Sequence, residues 1–143
     1  MNNARQLTVL VVEDQEDLRN LLVATLTRLG HFRVNSAEDG VYGLESVFID
    51  APDCIIADVL MPRLNGFQFV QALRGDPSTA HIPIIMLTAL AQQENQFRGM
   101  AFGADYYILK PARPLELVQV VREALHISET DRAARMKRLA DSF

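Results

Sequence analysis

The sequence predicts an α/β domain in which one parallel sheet is covered by helices on both faces. Three observations carry that prediction. Four short runs are apolar almost throughout, Leu7-Thr8-Val9-Leu10-Val11-Val12, Cys54-Ile55-Ile56-Ala57, Ile82-Pro83-Ile84-Ile85-Met86-Leu87 and Tyr106-Tyr107-Ile108-Leu109. Strands without polar alternation are those buried on both faces of a parallel sheet. Segments with helical spacing of apolar residues separate the runs, and right-handed crossovers then put helices on both faces. Finally, 143 residues suffice for one ordinary domain with a full core.

The elements follow in order. After the first strand and the polar break Glu13-Asp14-Gln15, apolar residues recur at Leu18, Leu21, Leu22, Leu26 and Leu29, with Gly30 where a helix C-cap belongs. A short strand is expected around Phe32-Arg33-Val34. A helix from about Asp39 to Ile49 follows, with Leu44, Val47 and Phe48 on one side. Pro52-Asp53 restarts the chain before Cys54. Pro62 and Gly66 punctuate the next loop, and Phe67, Val70, Leu73 and Arg74 form a helix stopped by Gly75-Asp76-Pro77. Phe97, Met100, Ala101 and Ala104 mark a fourth helix. Pro114, a good first-turn residue, opens a fifth carrying Leu117, Val118, Val121 and Leu125. The domain is expected over residues 1–127, with residues 128–143 as a C-terminal basic helical tail or linker.

Composition narrows the function. Hydrophobic residues at 49% and charged residues at 22% are globular values. A net charge of -4 argues against direct nucleic-acid binding through phosphates. The single cysteine, Cys54, lies in a strand-like run and is expected to be a buried small hydrophobe in a reducing compartment. No stretch approaches membrane-spanning length, and Met1-Asn2-Asn3-Ala4-Arg5-Gln6 has no signal-peptide core. A soluble, cytoplasmic protein is expected. His31, His81 and His126 share no ligand spacing, so histidine metal ligation is not expected.

In such sheets ligands bind beyond the carboxyl ends of the strands. There the chain places Glu13-Asp14, Asp58, Thr88 and Lys110-Pro111. Each has an ordinary reading: helix caps for Glu13, Asp14 and Thr88, a turn acid for Asp58, a solvated lysine for Lys110. Four such groups at one edge favour a shared purpose. Clustered carboxylates repel unless a cation sits among them, and Mg²⁺ accepts a few carboxylates with waters and phosphate oxygens. The central acid, Asp58, can serve as a nucleophile that forms an aspartyl phosphate. The Lys110 ammonium and the Thr88 hydroxyl can then engage phosphoryl oxygens.

With these residues in place the sequence resembles the receiver domains of two-component response regulators. The matching stretches are Val12-Glu13-Asp14, Asp58-Val59-Leu60-Met61-Pro62 with Gly66, Ile82 to Ala89, and Gly103 to Pro111, within about residues 7 to 126. The resemblance implies a flavodoxin-like (βα)5 three-layer sandwich with strand order 2-1-3-4-5. It implies Asp58 as phospho-acceptor from a sensor histidine kinase or phosphotransfer protein. Mg²⁺ would be held by Glu13, Asp14, Asp58 and the backbone carbonyl of Leu60. Thr88 and Lys110 would engage the phosphoryl group, and Tyr107 would follow Thr88 inward. The Lys110-Pro111 bond would be cis. The implied outcome is a signalling switch, not a metabolic enzyme. It would act through the face of the fourth helix, fifth strand and fifth helix on a downstream output protein or output domain, or in a homodimer.

The sequence departs from the family pattern at Ala112, where Phe is frequent, at Asn65, where Asp is frequent, and at Tyr106, a position often polar. Tyr106 and Tyr107 are expected on opposite sides of the last strand. Apolar Leu60 and Leu90 near the site would hinder an attacking water and lengthen the phosphorylated lifetime. The fifth helix carries more apolar residues than one face buries, consistent with either a wide core contact or a partner surface. In the tail, Ser128 with Asp131 resembles a capping box. A Mg²⁺-dependent hydrolase with an aspartate nucleophile is the rival reading. It would need a second acid at the position of Leu60.

Overall fold

The computed structural model describes residues 5–89 and 103–127, together with positions 131, 134, 137, 138 and 141. The elements are β1 (Thr8–Val12), α1 (Glu16–Arg28), β2 (Arg33–Ala37), α2 (Gly40–Ile49), β3 (Cys54–Ala57), α3 (Gly66–Arg74), β4 (Ile84–Thr88), β5 (Tyr106–Leu109) and α4 (Pro114–Ala124). The helix expected around Phe97 to Ala104 lies mostly outside the described residues, as do Leu90 and Ser128. Helix α4 is therefore the one the sequence places fifth. All strand pairs are parallel, in the order β2-β1-β3-β4-β5.

The period-two alternation of strand side chains divides the core into two layers. Leu10, Val12, Ile55, Ala57, Ile84 and Met86 face Val47 of α2 and Phe69, Val70 and Leu73 of α3. Val9, Val11, Cys54, Ile56, Ile85 and Leu87 face Leu22 and Leu26 of α1 and Leu117, Val118, Val121 and Ala124 of α4. Tyr107 packs against the first layer and Tyr106 against the second, so the adjacent aromatics do face opposite sides. In α4 most of the apolar surface is core contact, while Leu115 is 73% exposed.

Three boundaries differ from the sequence expectation, each for a local reason. Strand β2 runs on to Ala37 through polar Asn35 and Ser36, because an edge strand needs no continuous apolar run. Strand β4 begins at Ile84, not Ile82; Pro83 has no N–H for the ladder, although its carbonyl accepts from the Ile55 amide at 2.9 Å. At the end of α1 the left-handed residue is His31, with φ 58°, and not Gly30. Gly30 serves close packing: a Cβ there would stand 2.6 Å from the Phe32 ring.

Candidate functional site

Strands β1, β3, β4 and β5 are consecutive in the sheet, so their carboxyl ends lie side by side. Backbone hydrogen bonds extend this order past the strands. The Glu13 amide donates to the Ala37 carbonyl at 3.1 Å, the Asp58 amide to Val12 at 3.2 Å, and the Lys110 amide to Thr88 at 2.8 Å. Each chemistry-bearing residue therefore leaves the sheet on a fixed backbone.

The side chains converge. Lys110 Nζ donates to Asp58 Oδ2 at 2.6 Å and to Glu13 Oε1 at 2.8 Å. Asp58 Oδ1 accepts from the Leu60 amide at 3.2 Å. Glu13, Asp14 and Asp58 each offer a carboxylate oxygen within 4.8 Å of the others. Glu13 is 1% and Asp58 7% exposed, whereas Asp14 is open to solvent. Lys110 is not the solvated lysine of the ordinary reading: its side chain is largely covered.

One ammonium faces three carboxylates, so the ionised cluster carries excess negative charge in a partly dry site. Burial pushes the Glu13 carboxyl up to about 7; the hydrogen bond with Asp14 and the charge of Asp58 push the same way, and Lys110 opposes them. Burial works against the charged form of Lys110 as well, but the bonds to Asp58 and Glu13 prevail and raise its pKa. An all-oxygen donor set with uncompensated negative charge and one side open to water fits a hard divalent cation such as Mg²⁺.

Thr88 is fully buried. It shares a hydrogen bond with Tyr107, whose phenol is raised above its ordinary value by burial, with the Asp58 charge adding to this and the Thr88 bond opposing it. The Lys110–Pro111 peptide is cis. Leu60, two positions past Asp58, is 61% exposed beside the site.

Arg19 has no place in the sequence reading, whereas Gly66 and Asn65, read there as a loop glycine and a departure from the family pattern, take on definite roles. Arg19 of α1 donates to the Glu13 carbonyl at 2.8 Å. Gly66 allows α3 to start against the chain at the acceptor: a Cβ there would collide with the Asp58 carbonyl, and its amide donates to the Val59 carbonyl at 2.9 Å. Asn65 caps α3 through a capping box with Gln68. That N-x-x-Q spacing was readable in the sequence; the Arg19 contact joins separate elements and left no local signal.

A parallel five-stranded sheet of this order, with acids, a hydroxyl and a lysine on adjacent carboxyl ends, defines the receiver class of two-component signalling. The chain belongs to the response regulator receiver domain family, whose model matches residues 9–122. It is 37% identical over 134 residues to "Probable transcriptional regulator ycf27" of Guillardia theta, covering 94% of this chain and 50% of that protein. The chemotaxis response regulator CheY4 of Vibrio cholerae superposes with a TM-score of 0.78 at 33% identity, covering 84% of this chain and 99% of that one. The Francisella response regulator 1452 receiver domain gives 0.78 at 28% identity, with 84% and 97% covered. The chain spans about half the length of several curated relatives that it matches.

Proposed function

We propose that this chain is a Mg²⁺-dependent phosphorylation switch that accepts a phosphoryl group on Asp58 from a sensor histidine kinase or phosphotransfer protein. The observation that carries this reading is the Lys110 ammonium bonded at once to buried Asp58 and buried Glu13. A lysine held there is placed to neutralise a group arriving on the acceptor. Glu13, Asp14, Asp58 and the Leu60 carbonyl are the groups that would hold Mg²⁺. The cation supplies charge neutralisation for the phosphoryl oxygens.

The rest falls to the chain's own residues. A carboxylate oxygen of Asp58 attacks phosphorus; a P–O bond forms, the P–N bond to the donor imidazole breaks, and the imidazole leaves with that electron pair. Lys110 exchanges its bond to the carboxylate for one to a phosphoryl oxygen, and Thr88 donates its hydroxyl to another. Attack of water on the acyl phosphate later releases inorganic phosphate and restores the Asp58 carboxylate. Because Thr88 shares a hydrogen bond with Tyr107, a shift of Thr88 is passed to the side chain on β5. That would re-shape the face comprising the predicted fourth helix, β5 and α4.

This makes the chain a signalling module that turns over no metabolite, in the cytoplasm. Its partners would be the phosphodonor, a downstream output protein or output domain, and a second copy if the switched face dimerises. The role of the 128–143 tail as a linker belongs to the same reading. Among the described residues no helix is long and apolar enough to cross a membrane. The hydrolase reading lacks its second acid, because Leu60 occupies that position.

Intact mass after incubation with acetyl phosphate tests the proposal. One phosphoryl adduct is expected on the wild type with Mg²⁺, and none without Mg²⁺ or on Asp58→Ala. No adduct under any condition would leave a receiver used only for protein contacts.

A further inference from the structure

The loop between β3 and α3 contains a strained point that the acceptor chemistry does not use. Arg63 has a φ of 66°, and the Leu64 amide donates across it to the Pro62 carbonyl at 2.7 Å. A three-residue turn with a left-handed centre is the rare form of γ-turn, unfavourable for any residue with a Cβ. Strain of this kind persists only where the surroundings over-determine it.

The surroundings are specific. Arg63 Nε donates to Asp39 Oδ2 at 2.9 Å, and Nη2 donates to the same oxygen at 2.5 Å. The guanidinium carbon lies 5.0 Å from the centre of the Tyr42 ring, within cation–π range. Asp39 is buried, and its other oxygen, Oδ1, accepts from the Tyr42 amide at 3.0 Å as the N-cap of α2. One carboxylate thus joins the start of α2 to the turn after Asp58. Leu64 seals the joint: a Cβ on Gly40 would stand 2.6 Å from its carbonyl oxygen.

Resting on the switch reading above, we propose that Arg63 is a positioning residue. Paired with Asp39, it braces the Asp58–Leu64 segment so that the loop backbone presents a single arrangement to the cation. The far end of that segment is held separately, by the Gly66 amide on the Val59 carbonyl and the Leu60 amide on Asp58. Arg63 and Asp39 restrain the part between.

Two variants isolate the brace from the fold. Arg63→Gly removes the ion pair but suits a left-handed φ, and Asp39→Asn keeps a good helix cap while removing the charge. In metal-free protein, the Leu60 and Gly66 amides should exchange faster in both variants, by more than any shift in their urea midpoints accounts for. Calorimetric Mg²⁺ affinity should fall about tenfold or more, as for other groups that support metal ligands from behind. The double variant should bind no more weakly than the weaker single, because the two residues act as one unit. Wild-type Mg²⁺ affinity and amide exchange in Arg63→Gly would overturn the proposal. If the wild type takes no phosphoryl group while the variants still lose Mg²⁺ affinity, the brace stands and the acceptor reading falls.

Discussion

Glu13 is the residue at which burial and charge are most in tension. With its carboxyl raised from 4.5 to about 7, the folded protein holds this proton more tightly than the unfolded chain does. The resulting contribution to stability is fully present below pH 4.5 and is lost as pH rises through about 7. In metal-free buffer, urea denaturation should therefore show the wild type losing stability between about pH 5 and pH 8, by at most a few kcal/mol, at ~1.4 kcal/mol per pKa unit. Glu13→Gln cannot ionise and should show a flatter profile. An equal slope in both would place the titration elsewhere in the cluster. The acid itself was legible at the end of the first apolar run. Its perturbation was not, because it comes first from burial at the folded sheet edge, which outweighs the opposing bond from Lys110, 97 positions away.

At the scale of elements, Arg74 shows how a helix end becomes a joint. From the last turn of α3 it donates to the carbonyls of Gly103 at 2.9 Å, Ala80 at 2.9 Å and Ile82 at 2.6 Å. It also donates to Asp105 Oδ2 at 2.9 Å, an oxygen that accepts the Ile84 amide at 2.9 Å. The starts of β4 and β5 are thereby tied to α3. Arg74→Met would keep the aliphatic stem and leave buried Asp105 without its counter-charge, at a cost of about 3–5 kcal/mol. Urea unfolding should show that loss. Phosphoryl uptake by the folded fraction should persist, because the joint lies at the amino ends of the strands. Helical spacing placed Arg74 on α3 correctly, but spacing alone reads an arginine there only as a helix end.

For the whole molecule, the acid cluster makes stability depend on the cation. A ligand that binds only the folded state adds about 2.7 kcal/mol at one hundred times its Kd. Mg²⁺ should raise Tm, chelation should reverse the rise, and Asp14→Ala should abolish it. Asp14 is the informative choice because it is exposed, so its loss leaves the core intact. A Tm insensitive to Mg²⁺ in the wild type would count against cation binding at this edge.

Local residue patterns were enough to place the strands, most helix spans, the two-layered core and the residues that reach the carboxyl edge. These are short-range properties: period-two or helical spacing selects an element, and burial on both faces of a strand leaves a continuous apolar run. Tertiary structure decided which charges meet. Lys110 pairs with Glu13 and Asp58, Arg63 with Asp39, and Arg74 with Asp105, across 97, 52, 24 and 31 positions of chain. Local spacing carries no record of such encounters. They follow from strand order and loop path, which bring cations from distant parts of the chain against carboxylates that folding has largely removed from water.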